Sequence, residues 1–215
     1  MQHKVNLEEI SDGNLYTKND MVRIGCDSCG KDASCCRFAE DTITLDPYDI
    51  YQLHHATGLN FEALYSKQLI ALSPVDGLLL PHLNFSKSSN SCPFLLENGR
   101  CSIHANRPGL CRLFPLARLI EADTVRYLIQ IHECPCSVTP KTKIKNWLEL
   151  PDIEHYEAYI IKWNKILATI RNRLAAASGQ AELTIITTDF LRNYFFVPYD
   201  LSRSFYEQWE QRSVS

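Results

Sequence analysis

SCPFLLENGRCSIHANRPGLCRLFP, residues 91–115, sets Cys92, Cys101 and Cys111 along one short stretch whose turns are marked by Pro and Gly. Upstream, CDSCGKDASCCRF (26–38) holds Cys26, Cys29, Cys35 and Cys36, the last two adjacent. Downstream, HECPC (132–136) adds Cys134 and Cys136, and no cysteine follows. The fold turns on what these three thiol groups do.

Composition narrows the answer. The chain has 215 residues, enough to bury a core without staples. Hydrophobic residues make up 45% and charged residues 22%, as in an ordinary globular chain. A net charge of −3 gives no bulk attraction to nucleic acid or to an acidic membrane. The opening MQHKVNLEEISDGN lacks the basic and apolar regions of a signal peptide, and no apolar run reaches membrane-spanning length. The expectation is a cytoplasmic protein with neither nucleic acid nor membrane as a partner. Thiols stay reduced there, so nine cysteines point to metal or redox chemistry ahead of a disulfide framework. Nine is also odd, and neighbours such as Cys35 and Cys36 bridge each other only with strain.

The C-x2-C turn of Cys26 and Cys29 places two sulfurs on one ion, and Gly30 permits the tight backbone that follows. Thiolates suit zinc and iron–sulfur clusters alike. One tetrahedral zinc takes four ligands, so the thiols fill two sites, or one site with spare reactive thiols. Several alternatives are absent from the sequence. There is no ferredoxin run C-x2-C-x2-C-x3-C-P and no C-x3-C-x2-C triad of radical S-adenosylmethionine enzymes. There is no G-x-G-x-x-G fingerprint, and no histidine pair at C2H2-finger spacing.

Taken in order, C-x2-C-G…CC, CPFL, G-R-C-S-I-H-x-x-R-P-x-x-C-R-x-F-P and C-P resemble the YkgJ-type cysteine-cluster family. That family is zinc- or iron-chelating and includes flagellin lysine N-methylases. The resemblance runs from Ile24 to Pro140, with a weaker echo in KIKNWLELPDIEHYE. Carried over by position, it implies metal ligands at Cys26, Cys29, Cys35, Cys36, Cys92, Cys101, Cys111 and Cys134. Cys136 is an extra thiol where members commonly have glycine, and His104 stands where tyrosine is common. The gap between Cys29 and Cys35 is longer than usual. His104 and His132 are further ligand candidates, though each lone ring reads first as a packed side chain.

Arg107 and Arg112 are candidate cofactor-binding residues, able to fork onto a carboxylate of a substrate or of S-adenosylmethionine. Their plainer role, shared with Arg37, Arg100 and Arg118, is to balance thiolate charge. No catalytic residue is assigned. Three functions stay open. The resemblance implies an iron–sulfur protein, with a 4Fe-4S cluster, that transfers methyl groups from S-adenosylmethionine to a protein or peptide lysine. The second is a zinc-binding structural or interaction module without catalysis. The third is a redox or metal-handling protein.

The expected fold class is α+β, mostly α. A small cysteine-rich metal-binding core with a short β-hairpin packs against helices, and a helical C-terminal tail follows. Residues 1–140 are expected to form the cysteine-cluster domain and 141–215 a helical extension packed on it. Asp46-Pro47 caps a helix ending at Gly58, and Asn60 caps a second, FEALYSKQLIAL, that stops before Ser73-Pro74. GLLLPHLNF (77–85) reads as extended, and residues 117–132 as a hairpin turning at Glu121–Thr124. Ile153, Tyr156, Ile160, Trp163, Leu167, Ile170 and Leu174 form an apolar stripe at helical spacing. Two more helices follow, separated by Val197-Pro198.

Overall fold

The computed structural model describes residues 7–25, 33–37, 42–131 and 140–213. Cys26, Cys29, His132, Cys134 and Cys136 lie outside them. In chain order, helix α1 (Leu7–Ile10) and strand β1 (Met21–Arg23) come first. Helices α2 (Pro47–Thr57) and α3 (Phe61–Ser66) lead into strands β2 (Ile70–Val75) and β3 (Leu78–Leu83). The short helix α4 (Gly109–Leu113) precedes strands β4 (Leu116–Glu121) and β5 (Thr124–Ile129). Strand β6 (Lys141–Lys143) and helix α5 (Ile144–Leu148) follow. Helices α6 (Ile153–Ala176), α7 (Gln180–Leu191) and α8 (Phe205–Ser213) complete the chain, a π turn (Arg192–Phe196) following α7. The class is α+β, mostly α, with two-stranded antiparallel sheets. No helix among the described residues is long and apolar enough to cross a membrane.

The helix ends follow the expected local chemistry. Asp46 Oδ1 accepts the Asp49 N–H at 2.9 Å, and Asp49 Oδ2 accepts the Asp46 N–H at 3.1 Å, a complete capping box. Gly58 closes α2 at φ 71°, a left-handed position that glycine occupies without steric cost. Asn60 caps α3 by accepting from the Ala63 N–H.

The second helix ends sooner than its sequence suggests. Gln68 takes φ 56° and the Leu69 N–H returns to the Leu64 carbonyl at 3.0 Å, a Schellman-type closure. Ile70–Val75 then forms a strand, correcting the end of the expected helix, which ran on to Leu72. It pairs with Leu78–Leu83, from Ile70 opposite Leu83 to Val75 opposite Leu78. Asp76 (φ 49°) and Gly77 (φ 79°) make the two-residue turn, whose two positive φ values match the twist of a tight hairpin. Burying Ile70, Leu78, Leu80 and Leu83 outweighs the helix propensity of the segment.

The chain forms two compact units. One combines residues 1–33 with 112–161. In it β4 pairs with β5 around the expected turn, Glu121 opposite Thr124, and β1 pairs with β6. Tyr16 and Tyr127 exchange main-chain hydrogen bonds of 2.8 and 2.9 Å. The fully buried Tyr127 donates its hydroxyl to Glu157 Oε1 at 2.9 Å, and Lys18 Nζ donates to Glu157 Oε2 at 2.8 Å. Ile153, Tyr156, Tyr159 and Ile160 are buried along the start of α6.

The other unit combines residues 34–111 with 162–215. Its core is aromatic. Trp163 stacks on Phe190 at 5.8 Å and meets Trp209 edge-on at 5.8 Å, while Tyr48 of α2 meets Phe205 of α8 at 5.1 Å. Such contacts add about 0.5–1.5 kcal/mol per pair beyond the area buried. Arg212 lies 3.7 Å from the Tyr199 ring centre. Its guanidinium donates to the carbonyls of Asn193, Val197 and Pro198, which fastens α8 to the end of the π turn.

Candidate metal centre

The described thiols reach the second unit from separate segments, and main-chain pairing places each. Cys35 and Cys36 lie in a 3-10 turn, Ser34–Cys36. Immediately after it, Arg37 bridges Ser91, and the Cys92 N–H donates to the Cys36 carbonyl at 2.8 Å. Cys92 and Cys101 lie on one folded ribbon. Leu95 bridges Cys101, the Leu96 N–H donates to Arg100 at 2.8 Å, and Gly99 (φ 77°) makes the turn. A 3-10 turn, His104–Asn106, then leads to α4 and Cys111.

Helix α2 holds that last segment from the side. Asp49, 3% exposed, accepts the Gly109 N–H on Oδ1 at 2.7 Å. One turn on, Gln52 Oε1 accepts from Asn106 Nδ2 at 2.7 Å. Neither residue was singled out from the sequence, because their partners are far away along the chain.

The five described cysteines are not in disulfides, and only Cys92 is buried; the others are partly exposed. The adjacent pair is internally bonded. The Cys36 thiol donates to Cys35 Sγ, which lowers the Cys35 thiol value and raises that of Cys36. The N–H groups of Cys35 and Cys36, with the Arg107 charge, also favour the Cys35 thiolate against its burial. Burial pushes Cys92 up to about 11, against N–H donation from Phe94 and Leu95, the former at 3.5 Å. Burial raises Cys101, countered by the Ile103 N–H and Arg107. Burial raises Cys111, and charge on Cys92, Asp49, Cys101 and Cys35 adds to it.

This donor set fits a thiophilic cation. Sulfurs within electrostatic reach of one another resist joint ionisation, and a bound cation removes that resistance. Main-chain N–H groups aimed at sulfur are the outer contacts that stabilise ligated thiolates. Among the described residues no three Cys, His, Asp or Glu side chains form a group spaced to hold a metal ion. The fit therefore lies in the chemistry of the donors.

The arginines separate into different settings. Arg107 Nη1 donates to the His104 carbonyl at 3.0 Å and meets His104 Nδ1 at 3.1 Å, while its charge reaches Cys35 and Cys101. Arg112 is 4% exposed, and its Nη1 donates to the Leu148 and Glu149 carbonyls at 3.4 and 3.2 Å, capping the end of α5. Arg118 donates to the Tyr156 hydroxyl at 3.3 Å. His104 is exposed.

Residues 25–150 match the CxxCxxCC family model, described as "Putative zinc- or iron-chelating domain". Comparison with curated proteins and with solved structures found no match.

Proposed function

Since the chain belongs to the CxxCxxCC family of zinc- or iron-chelating domains, we propose that its clustered thiols hold an iron–sulfur centre. The observation that carries this reading is that Cys35 and Cys36, Cys92, Cys101 and Cys111 come from separate stretches of chain and each lies within electrostatic reach of another. The described thiols alone exceed the four that one zinc or one 4Fe-4S cluster takes. The proposed ligands are these five with Cys26, Cys29 and Cys134. When bound, the centre would supply Lewis-acidic iron as a template for a substrate. A cytoplasmic setting, where thiols stay reduced, belongs to this reading.

The finer function follows the family resemblance: methyl transfer from S-adenosylmethionine to a lysine of a protein or peptide. Arg107 and Arg112 are the proposed carboxylate contacts. Arg107 suits that role better, because it is partly exposed while Arg112 is buried on carbonyl oxygens. A zinc module and a redox or metal-handling role are the rivals.

Anaerobic purification with a visible spectrum and metal and sulfide analysis tests the centre. The expected result is a brown protein with about four irons and four sulfides per chain. A colourless protein with about two zinc ions would support the zinc module instead. Incubating the brown protein with labelled S-adenosylmethionine and lysine peptides tests transfer; absence of both binding and label leaves electron transfer or sensing.

A further inference from the structure

Helix α2 carries a carboxylate with two separate jobs. One oxygen of Asp49 serves its own helix: Oδ2 accepts the Asp46 N–H and closes the capping box. The other oxygen leaves the helix altogether. Oδ1 accepts the N–H of Gly109, 60 positions away in sequence, at 2.7 Å. Gly109 is the first residue of α4, and Cys111 is its third.

Gln52 repeats the pattern one turn along. Residues three apart lie on the same face of a helix. Asp49 and Gln52 thus grip Gly109 and Asn106 from one face of α2, either side of the Arg107-Pro108 step. A capping box needs only one acceptor from the third helical residue. Burying a carboxylate is costly unless its oxygens are hydrogen-bonded, and here the second oxygen is bonded to the segment that delivers a thiol. Five residues cannot form a stable helix alone, so a turn as short as α4 depends on such tethers for its placement.

We propose that Asp49 is a positioning residue of the metal centre: through Gly109 it fixes α4 and hence the place of Cys111. This rests on the metal-centre reading. Cobalt(II) titration of the chelator-stripped protein tests it, with sulfur-to-cobalt charge-transfer absorption as the readout. Asp49→Ala is expected to weaken cobalt affinity by about 10- to 100-fold, the range for loss of an outer contact, and to lower the charge-transfer intensity per cobalt. Asp49→Asn keeps an acceptor at the same reach and is expected to restore most of both. Asp46→Ala breaks the same capping box without touching Gly109, so it is expected to lower the melting temperature while leaving cobalt affinity unchanged. Asp49→Glu, which keeps a capping side chain but displaces the acceptor, reads out the same loss if the alanine variant does not fold. Equal cobalt affinity and spectrum in Asp49→Ala, Asp49→Glu and wild type would overturn the proposal. So would equal losses in Asp46→Ala and Asp49→Ala. A wild-type protein that binds no cobalt would instead bring down the metal-centre reading, and the proposal with it.

Discussion

Cys35 and Cys36 are adjacent, yet they take opposite protonation preferences. The thiol of one donates to the sulfur of the other, so a single thiolate is favoured in the pair before any metal arrives. Cys92, Cys101 and Cys111 are all pushed toward the neutral thiol by burial. Metal loading near neutral pH must therefore expel protons, and calorimetry of zinc addition in buffers of different ionisation enthalpy should show net release. Affinity should rise with pH, because protons compete for the same sulfurs. The apoprotein should show the opposite trend. Cys92 is raised from 9.0 to about 11, so its contribution is complete below the unfolded value and lost as pH climbs from about 9 to 11. Denaturant midpoints of the apoprotein across that window check the sign. Cys111→Ser removes a sulfur that α4 places, and metal per chain should fall; Cys136→Ser should keep the metal. Metal analysis of both variants decides, and loss with Cys136→Ser would show that the proposed ligand set is wrong.

Elements were legible where their signals are local. Asp46 with Pro47, the Gly58 stop, the Asn60 cap, the turn after Glu121 and the long stripe from Ile153 each depend on neighbours within a few residues. The β2–β3 hairpin was missed in half. Leu78–Leu83 reads as extended, but Ile70–Val75 has apolar residues that suit a helix as well, and pairing with Leu78–Leu83 decided the matter. Asp76-Gly77 was the available signal, a strong two-residue hairpin turn. Gly77→Ala should cost about 1 kcal/mol, because a Cβ at φ 79° meets its own backbone, not a neighbouring side chain. A fall of about 2–4 °C in melting temperature is the expected reading for a chain of this length.

At the scale of the whole molecule, each unit joins stretches distant in sequence, and the five described thiols all fall in the unit of residues 34–111 and 162–215. They are held together as thiolates only when a cation binds, so metal binding and stability are linked. Stripping the metal with a chelator should lower the melting temperature, and returning it should restore the midpoint in proportion to the logarithm of free metal. A midpoint indifferent to chelator would count against a metal held by the folded state. The sequence by itself determined the thiol-rich stretches, the ordered family string, the mostly helical α+β class and the helix caps, because each is written in residue identity or in contacts a few positions apart. Only the tertiary structure decided that Cys36 adjoins Cys92, that Asp49 holds Gly109, that Arg112 caps α5 and that Ile70–Val75 is a strand. Those outcomes depend on which distant segments pay the entropy of meeting, and no local spacing records that balance.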